Sequence, residues 1–167
     1  MLSYLGTVRR HSSQITKLLT TVLANEFALY SKTKKTYWAF SEKRFTVLLQ
    51  ILKEQCFDME DNINEVAELL RKLNGKTTGS LEEFTALSTL KETQFNTSPR
   101  AIIKELMENN RLVIAELEVD IPLYIQTDDP IIYFIKWLVQ QHENAIWVLK
   151  NYLKQFPVLL LPLEANN

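Results

Sequence analysis

Apolar residues recur every three or four positions through four long stretches of the chain, the spacing that builds one face of a helix. In the first stretch Ile15, Leu18, Leu19, Val22, Leu23, Leu29, Tyr30, Thr33 and Tyr37 share such a face. In the second, Phe45, Leu48, Leu52, Cys56, Met59, Ile63, Val66, Leu70 and Leu73 form a near-heptad stripe, the seam of a bundle helix. The third carries Ile102, Leu106, Val113, Ile114 and Leu117. The fourth carries Ile132, Ile135, Val139, His142, Ile146, Leu149 and Leu153. Turn chemistry marks their ends. Asn74-Gly75 supplies residues that tolerate the left-handed conformation closing a helix. Ser98-Pro99 and Asp129-Pro130 each set a capping side chain before a proline at the first helical position. Pro157 and Pro162 end the last helix.

The connection between the second and third stretches, residues 74–97, has an element of its own. Ser80-Leu81-Glu82-Glu83 spells a capping box and predicts a short helix to about Leu90. Two long helices, a short one and two more long ones describe an all-α chain. Its architecture is a four-helix bundle with a long crossover that carries a short extra helix. The chain divides into an N-terminal extension (1–14), the bundle (15–156) and a C-terminal tail (157–167). Periodicity alone leaves ferritin-like and cytokine-like connectivities open. Leu81, Phe84 and Leu87 line one face of the short helix. The bundle does not need that face internally, so a second subunit is expected to cover it.

Composition narrows the class further. Three glycines in 167 residues are too few for a fold built on hairpins, which supports the all-α reading. The formal net charge of −1 excludes a chain that is basic throughout, so any nucleic-acid contact must come from a local patch. The single cysteine, Cys56, allows no intrachain disulfide, and no Cys/His cluster has zinc spacing. The first residues lack the apolar core of a secretory leader. No apolar run approaches the roughly 20 residues of a membrane span. A reduced compartment, the cytoplasm, is the expected location.

Several segments, in order, resemble a known family. Leu18-Leu19 through Glu26-Phe27, Leu29-Tyr30 and Lys32-Thr33 are similar to the first helix of the Dps mini-ferritins, the DNA-protection-during-starvation proteins. Tyr37-Trp38 falls where that family has His-Trp. Phe45, the helix around Glu65 to Glu68, Asn74-Gly75, Gly79 to Phe84, Leu90-Lys91-Glu92, and His142-Glu143 with Trp147 continue the match, from about Ile15 to Phe156. The resemblance selects the ferritin-like bundle. It implies a hollow dodecamer with the short helix at a dimer interface, peroxide-driven oxidation of ferrous iron between subunits, and, in some members, DNA binding.

The iron chemistry needs carboxylates and imidazoles converging from facing helices. At the positions the resemblance assigns to the ligands, this sequence has Tyr37 and Leu49 for the two histidines and Lys53 for the acid one turn later. Asn64 and Glu68 stand for the partner's acidic pair. Leucine cannot coordinate, and an ammonium repels Fe²⁺. Only Glu68 keeps a ligand, so the usual intersubunit ferroxidase site is expected to be lost. Asp58, Asp61, Glu65 and Glu68 form an acidic helix face, read as solvated, with a relocated weak metal site as the alternative. His142, on the apolar stripe, is expected to be a hydrogen-bonded core residue. Of the acids that the resemblance places at the iron-entry pore, Asp128 and Asp129 remain, while Tyr133 and Tyr124 replace others. The residues name no resident cofactor, and iron enters only as the family's cargo.

Arg9, Arg10 and Lys17, with His11, make a small cluster that a dodecamer would repeat over its surface. Multivalency and counterion release would then add up small contacts. A second group, Lys32, Lys34, Lys35, Lys43 and Arg44, flanks the first helix–helix turn and is as suited to pairing with acids. Two functions compete. One is a shell that binds and protects DNA without sequence preference, nucleoid-associated and without the usual ferroxidase. The other is ferritin-type iron oxidation and storage at altered sites, and a purely structural or partner-binding cage is a third reading.

Overall fold

The computed structural model describes residues 2–40, 43–73, 76, 79–91, 98–120 and 130–157. The expected turns at Asn74-Gly75 and the cap Asp129 lie outside these. Five α-helices are described: α1 (Leu2–Ala39), α2 (Thr46–Lys72), α3 (Leu81–Leu87), α4 (Pro99–Asp120) and α5 (Pro130–Gln155). A short 3-10 turn, Lys43–Phe45, leads into α2. No strand occurs among the described residues.

Two buried clusters fix the directions of the helices. One gathers Phe40, Phe45, Leu48, Leu52, Ile103, Leu106, Leu149 and Tyr152. The end of α1, the starts of α2 and α4 and the end of α5 therefore lie together. The other joins Leu18 to Leu29 of α1, Met59 to Leu70 of α2, Val113 and Leu117 of α4, and Ile131 to Leu138 of α5. Thus α2 and α4 run parallel, and the crossover travels the length of the bundle. α1 packs on α2, α4 and α3, and α5 on α4 and α2.

The stripes predict the buried faces closely on α2 and with a small rotation on α5. There Ile131, Leu138 and Tyr152 are buried, whereas Val139, Ile146 and Leu153 sit at the edge of the core. α3 starts as its sequence requires. Ser80 Oγ accepts from Glu83 N (3.2 Å), and Glu83 Oε2 accepts from Ser80 N (3.2 Å), the two halves of a capping box. It stops at Leu87, short of the expected Leu90. Phe84 stacks on Phe27 of α1, with ring centroids 4.2 Å apart. The face predicted to await a second subunit is therefore partly covered within the chain: Phe84 is buried, while Leu81 and Leu87 stay exposed.

α1 is one uninterrupted helix of 38 residues, through most of the segment read as an extension. At 1.5 Å per residue it spans about 57 Å, against roughly 40 Å for α2. Among the described side chains, Ile15 and Leu18 pack against the core.

Candidate functional site

The positions assigned to intersubunit iron ligands cluster on the end of α1 and along α2. Leu49 is half-buried against the cluster of Phe45, Leu52 and Leu149, and so belongs to the core margin. The Tyr37 ring packs on the same cluster, with Lys34 Nζ 5.9 Å from its centroid. Lys53 is exposed, its ammonium 5.9 Å from the Phe57 ring. Asn64 and Glu68 are exposed one turn apart, and Glu68 Oε2 lies 4.0 Å from Lys72 Nζ. Of these five positions only Glu68 carries a carboxylate, and it lies beside the Lys72 ammonium.

The bundle centre holds a second set, which the stripes carry among apolar residues. Glu26 follows Leu19, Val22 and Leu23 on the buried face of α1 and has no exposed surface. Its Oε1 lies 2.7 Å from His142 Nε2 on α5. The other ring nitrogen, Nδ1, is 3.0 Å from Asn110 Oδ1 on α4. Asn110 Nδ2 donates to Leu106 O (2.8 Å), which turns its oxygen toward the imidazole. That oxygen can only accept, so Nδ1 carries a hydrogen and donates. Asn62 of α2 completes the set, its Nδ2 3.5 Å from Glu26 Oε2. Each of the four long helices gives one polar residue to this centre. His142 is thus a hydrogen-bonded core residue, as its place on the stripe suggested.

Between α2 and α5, next to this centre, a small cavity is lined by Gln55, Asp58, Asn62, Asn110, Gln141 and His142, among others. Asp58 lies at its edge. Burial pushes its carboxyl above the ordinary range, and the charges of Asp61 and Glu54 add to the effect. All four acids of the face read from the sequence are exposed, and of them only Asp58 also lines this cavity. Cys56 is buried, and burial raises its thiol further, which suits a packing residue and not a nucleophile.

The basic groups separate. Arg9 and Arg10 stand on the first turns of α1, and Lys17 is exposed two turns later. In the second group Lys32 is buried and faces Glu105 of α4 at 3.8 Å, within one chain. Arg44 lies over the Phe45 ring, 4.7 Å from its centroid. The pore residues Asp128 and Asp129 are outside the described residues. Among the described residues no helix is long and apolar enough to cross a membrane.

Four antiparallel and parallel helices with an end-to-end crossover define the ferritin-like class, and a family model of the ferritin-like domain matches residues 16–159. The chain belongs to this family, in its Dps-like mini-ferritin branch. It is 29% identical to a low temperature-induced protein of Nostoc sp., over 92% of this chain and 88% of that one. It is 19% identical to DNA protection during starvation protein 2 of Bacillus anthracis, over 86% and 99%. Dps from Thermosynechococcus elongatus superposes with a TM-score of 0.77 at 25% identity, covering 84% of this chain and 90% of that one.

Ferritin-like di-iron proteins project a glutamate from each of two helices and a Glu-x-x-His pair from each of the other two into the bundle. Here the inward positions are Glu26, Asn110, the Met59 and Asn62 pair, and the Val139 and His142 pair. One acid and one imidazole remain, and they are bonded to each other. This donor set does not fit a di-iron centre. Among the described residues no group of three or more His, Cys, Asp or Glu is placed to hold a metal ion. Glu26, Asn62 and Asn110 were not singled out from the sequence as a site. The available signal was a polar residue repeating in register with each apolar stripe.

Proposed function

We propose that this chain builds a Dps-type hollow dodecamer in the cytoplasm that binds and shelters DNA through phosphate contacts and does not oxidise ferrous iron at the intersubunit positions. The observation that carries the reading is the donor set Tyr37, Leu49, Lys53, Asn64 and Glu68. A ferrous ion asks for several carboxylates or imidazoles. One exposed carboxylate, already 4.0 Å from Lys72, competes poorly with water for it. The DNA half of the reading is supported by Arg9 and Arg10 near the start of α1 and by exposed Lys17. The name of the Bacillus anthracis relative points the same way.

The test is duplex binding by the assembled protein. Affinity is expected to be independent of sequence, because Arg9, Arg10 and Lys17 form no arrangement suited to base edges, and to fall with salt at a log–log slope of about −0.9 per phosphate neutralised. Removing residues 1–13 should abolish binding and leave the assembly intact, since the apolar stripe of the bundle begins at Ile15. Binding that survives the deletion would move the site to the group from Lys32 to Arg44, and no binding even at low salt contradicts the DNA reading and leaves a purely structural cage. The second reading, ferritin-type iron oxidation at altered sites, draws on family membership and on acids elsewhere, Asp58 and the pore pair Asp128 and Asp129. Peroxide-driven oxidation that depends on those acids would favour it.

A further inference from the structure

The cavity beside the bundle centre has a volume of about 20 Å³, room for one water-sized particle. It neighbours a larger hollow of about 80 Å³, with which it shares Gln55, Asp58 and Gln141, and which Glu54 also lines. Neither lining includes Lys or Arg. The acceptors around it can be followed one by one. Both nitrogens of His142 are engaged, one by Asn110 and one by Glu26. Glu26 spends one oxygen on His142 and the other on Asn62 Nδ2. That contact fixes the Asn62 amide, because its oxygen turned toward the carboxylate would be repelled. Asn62 Oδ1 is left buried without a partner among the described residues, in a side chain only 2% exposed. An unpaired buried acceptor of this kind is costly and calls for a ligand. Gln55 donates its Nε2 to Ala145 O across the α2–α5 seam (3.4 Å), which leaves its oxygen open.

We infer that this cavity binds a hard divalent cation, held by the Asp58 carboxylate and the amide oxygens of Gln55, Asn62 and Gln141. Gln55, Asp58 and Asn62 follow each other at i, i+3 and i+7, one face of α2. The unspent donors are all oxygens, and neither a thiolate nor a free imidazole is among them, so the ion is of the magnesium, calcium or manganese type. Asp58 and Glu54 together match its charge, and the cation relieves their mutual repulsion. A water molecule would satisfy Asn62 but would leave that repulsion in place. The site is separate from Glu68 and from the DNA-binding residues, so it stands independently of the proposed function.

The test uses the full-length assembled protein and Mn²⁺ as probe, with binding read by electron paramagnetic resonance and location by anomalous diffraction from soaked crystals. One Mn²⁺ per chain is expected in the cavity, displaced by Ca²⁺ or Mg²⁺. Asp58→Asn, at an exposed position that leaves the core intact, should weaken binding at least about tenfold. Asn62→Leu should weaken it too, while Asp61→Asn and Glu68→Gln should leave it within about twofold. Equal loss in Asp58→Asn and Asp61→Asn would reduce the site to diffuse attraction by the acidic face. No anomalous peak in the cavity would make water its occupant. Either result overturns the inference.

Discussion

Glu26 and His142 are a costly polar pair to bury, and each compensates the other. With 0% and 3% exposure and 2.7 Å between them, neither has water to fall back on. Breaking such a pair by removing one partner typically costs about 3–5 kcal/mol, because the other stays buried and unsatisfied. Glu26→Leu and His142→Leu are each expected to destabilise by that order, whereas the double variant should cost well under their sum. Chemical denaturation of the four proteins checks this, and additive losses would contradict the pairing. Lys32 is a lesser case: its ammonium is nearly as buried but lies 3.8 Å from Glu105.

Among the elements, α3 and the strap behind it depend on two polar devices. Asn25 Oδ1 accepts from Thr89 N (2.8 Å) and Ser88 Oγ (2.9 Å), tying the crossover to α1. Asn25→Leu should cost roughly 1–3 kcal/mol and open the crossover to proteolysis, with α1 and α2 still protected. Glu83 provides the second device. Hydrogen bonds from the backbone of Gly79 and Ser80 hold its carboxyl below the ordinary range, and Lys76 lowers it further. A group lowered in this way stabilises the fold above its ordinary value, and the contribution is lost as pH falls through the lowered one. Acidification should therefore loosen α3 before the long helices. Amide exchange at Thr85 to Leu87 measures this, and Glu83→Gln should flatten the pH dependence. The capping box was legible in the sequence because all its partners lie within four residues. So were the four stripes, which report burial on a helix of known period. Asn25 was not legible: its partners are more than 60 positions away, and nothing local marks it. The stop of α3 at Leu87 was missed for the same reason. Ser88 and Thr89 leave the helix to meet Asn25.

For the whole molecule, the long crossover makes α2 and α4 parallel and brings one residue of each long helix to a common centre. The pattern read along the chain gave the helices and their order. It could not show that Glu26, Asn62, Asn110 and His142 meet, because that depends on the relative rotation of four helices. The candidate ligand positions on α2 were readable through family resemblance, and their surroundings, Leu49 in the core margin and Lys72 beside Glu68, came from packing. The central claim is that these positions do not support iron oxidation. The most direct measurement is anaerobic loading of the assembled protein with Fe²⁺, followed by peroxide, with the oxidation rate compared with that of a protein-free solution. The account predicts no acceleration over the protein-free rate, and no change on Glu68→Gln. Rapid oxidation that Glu68→Gln abolishes would contradict it.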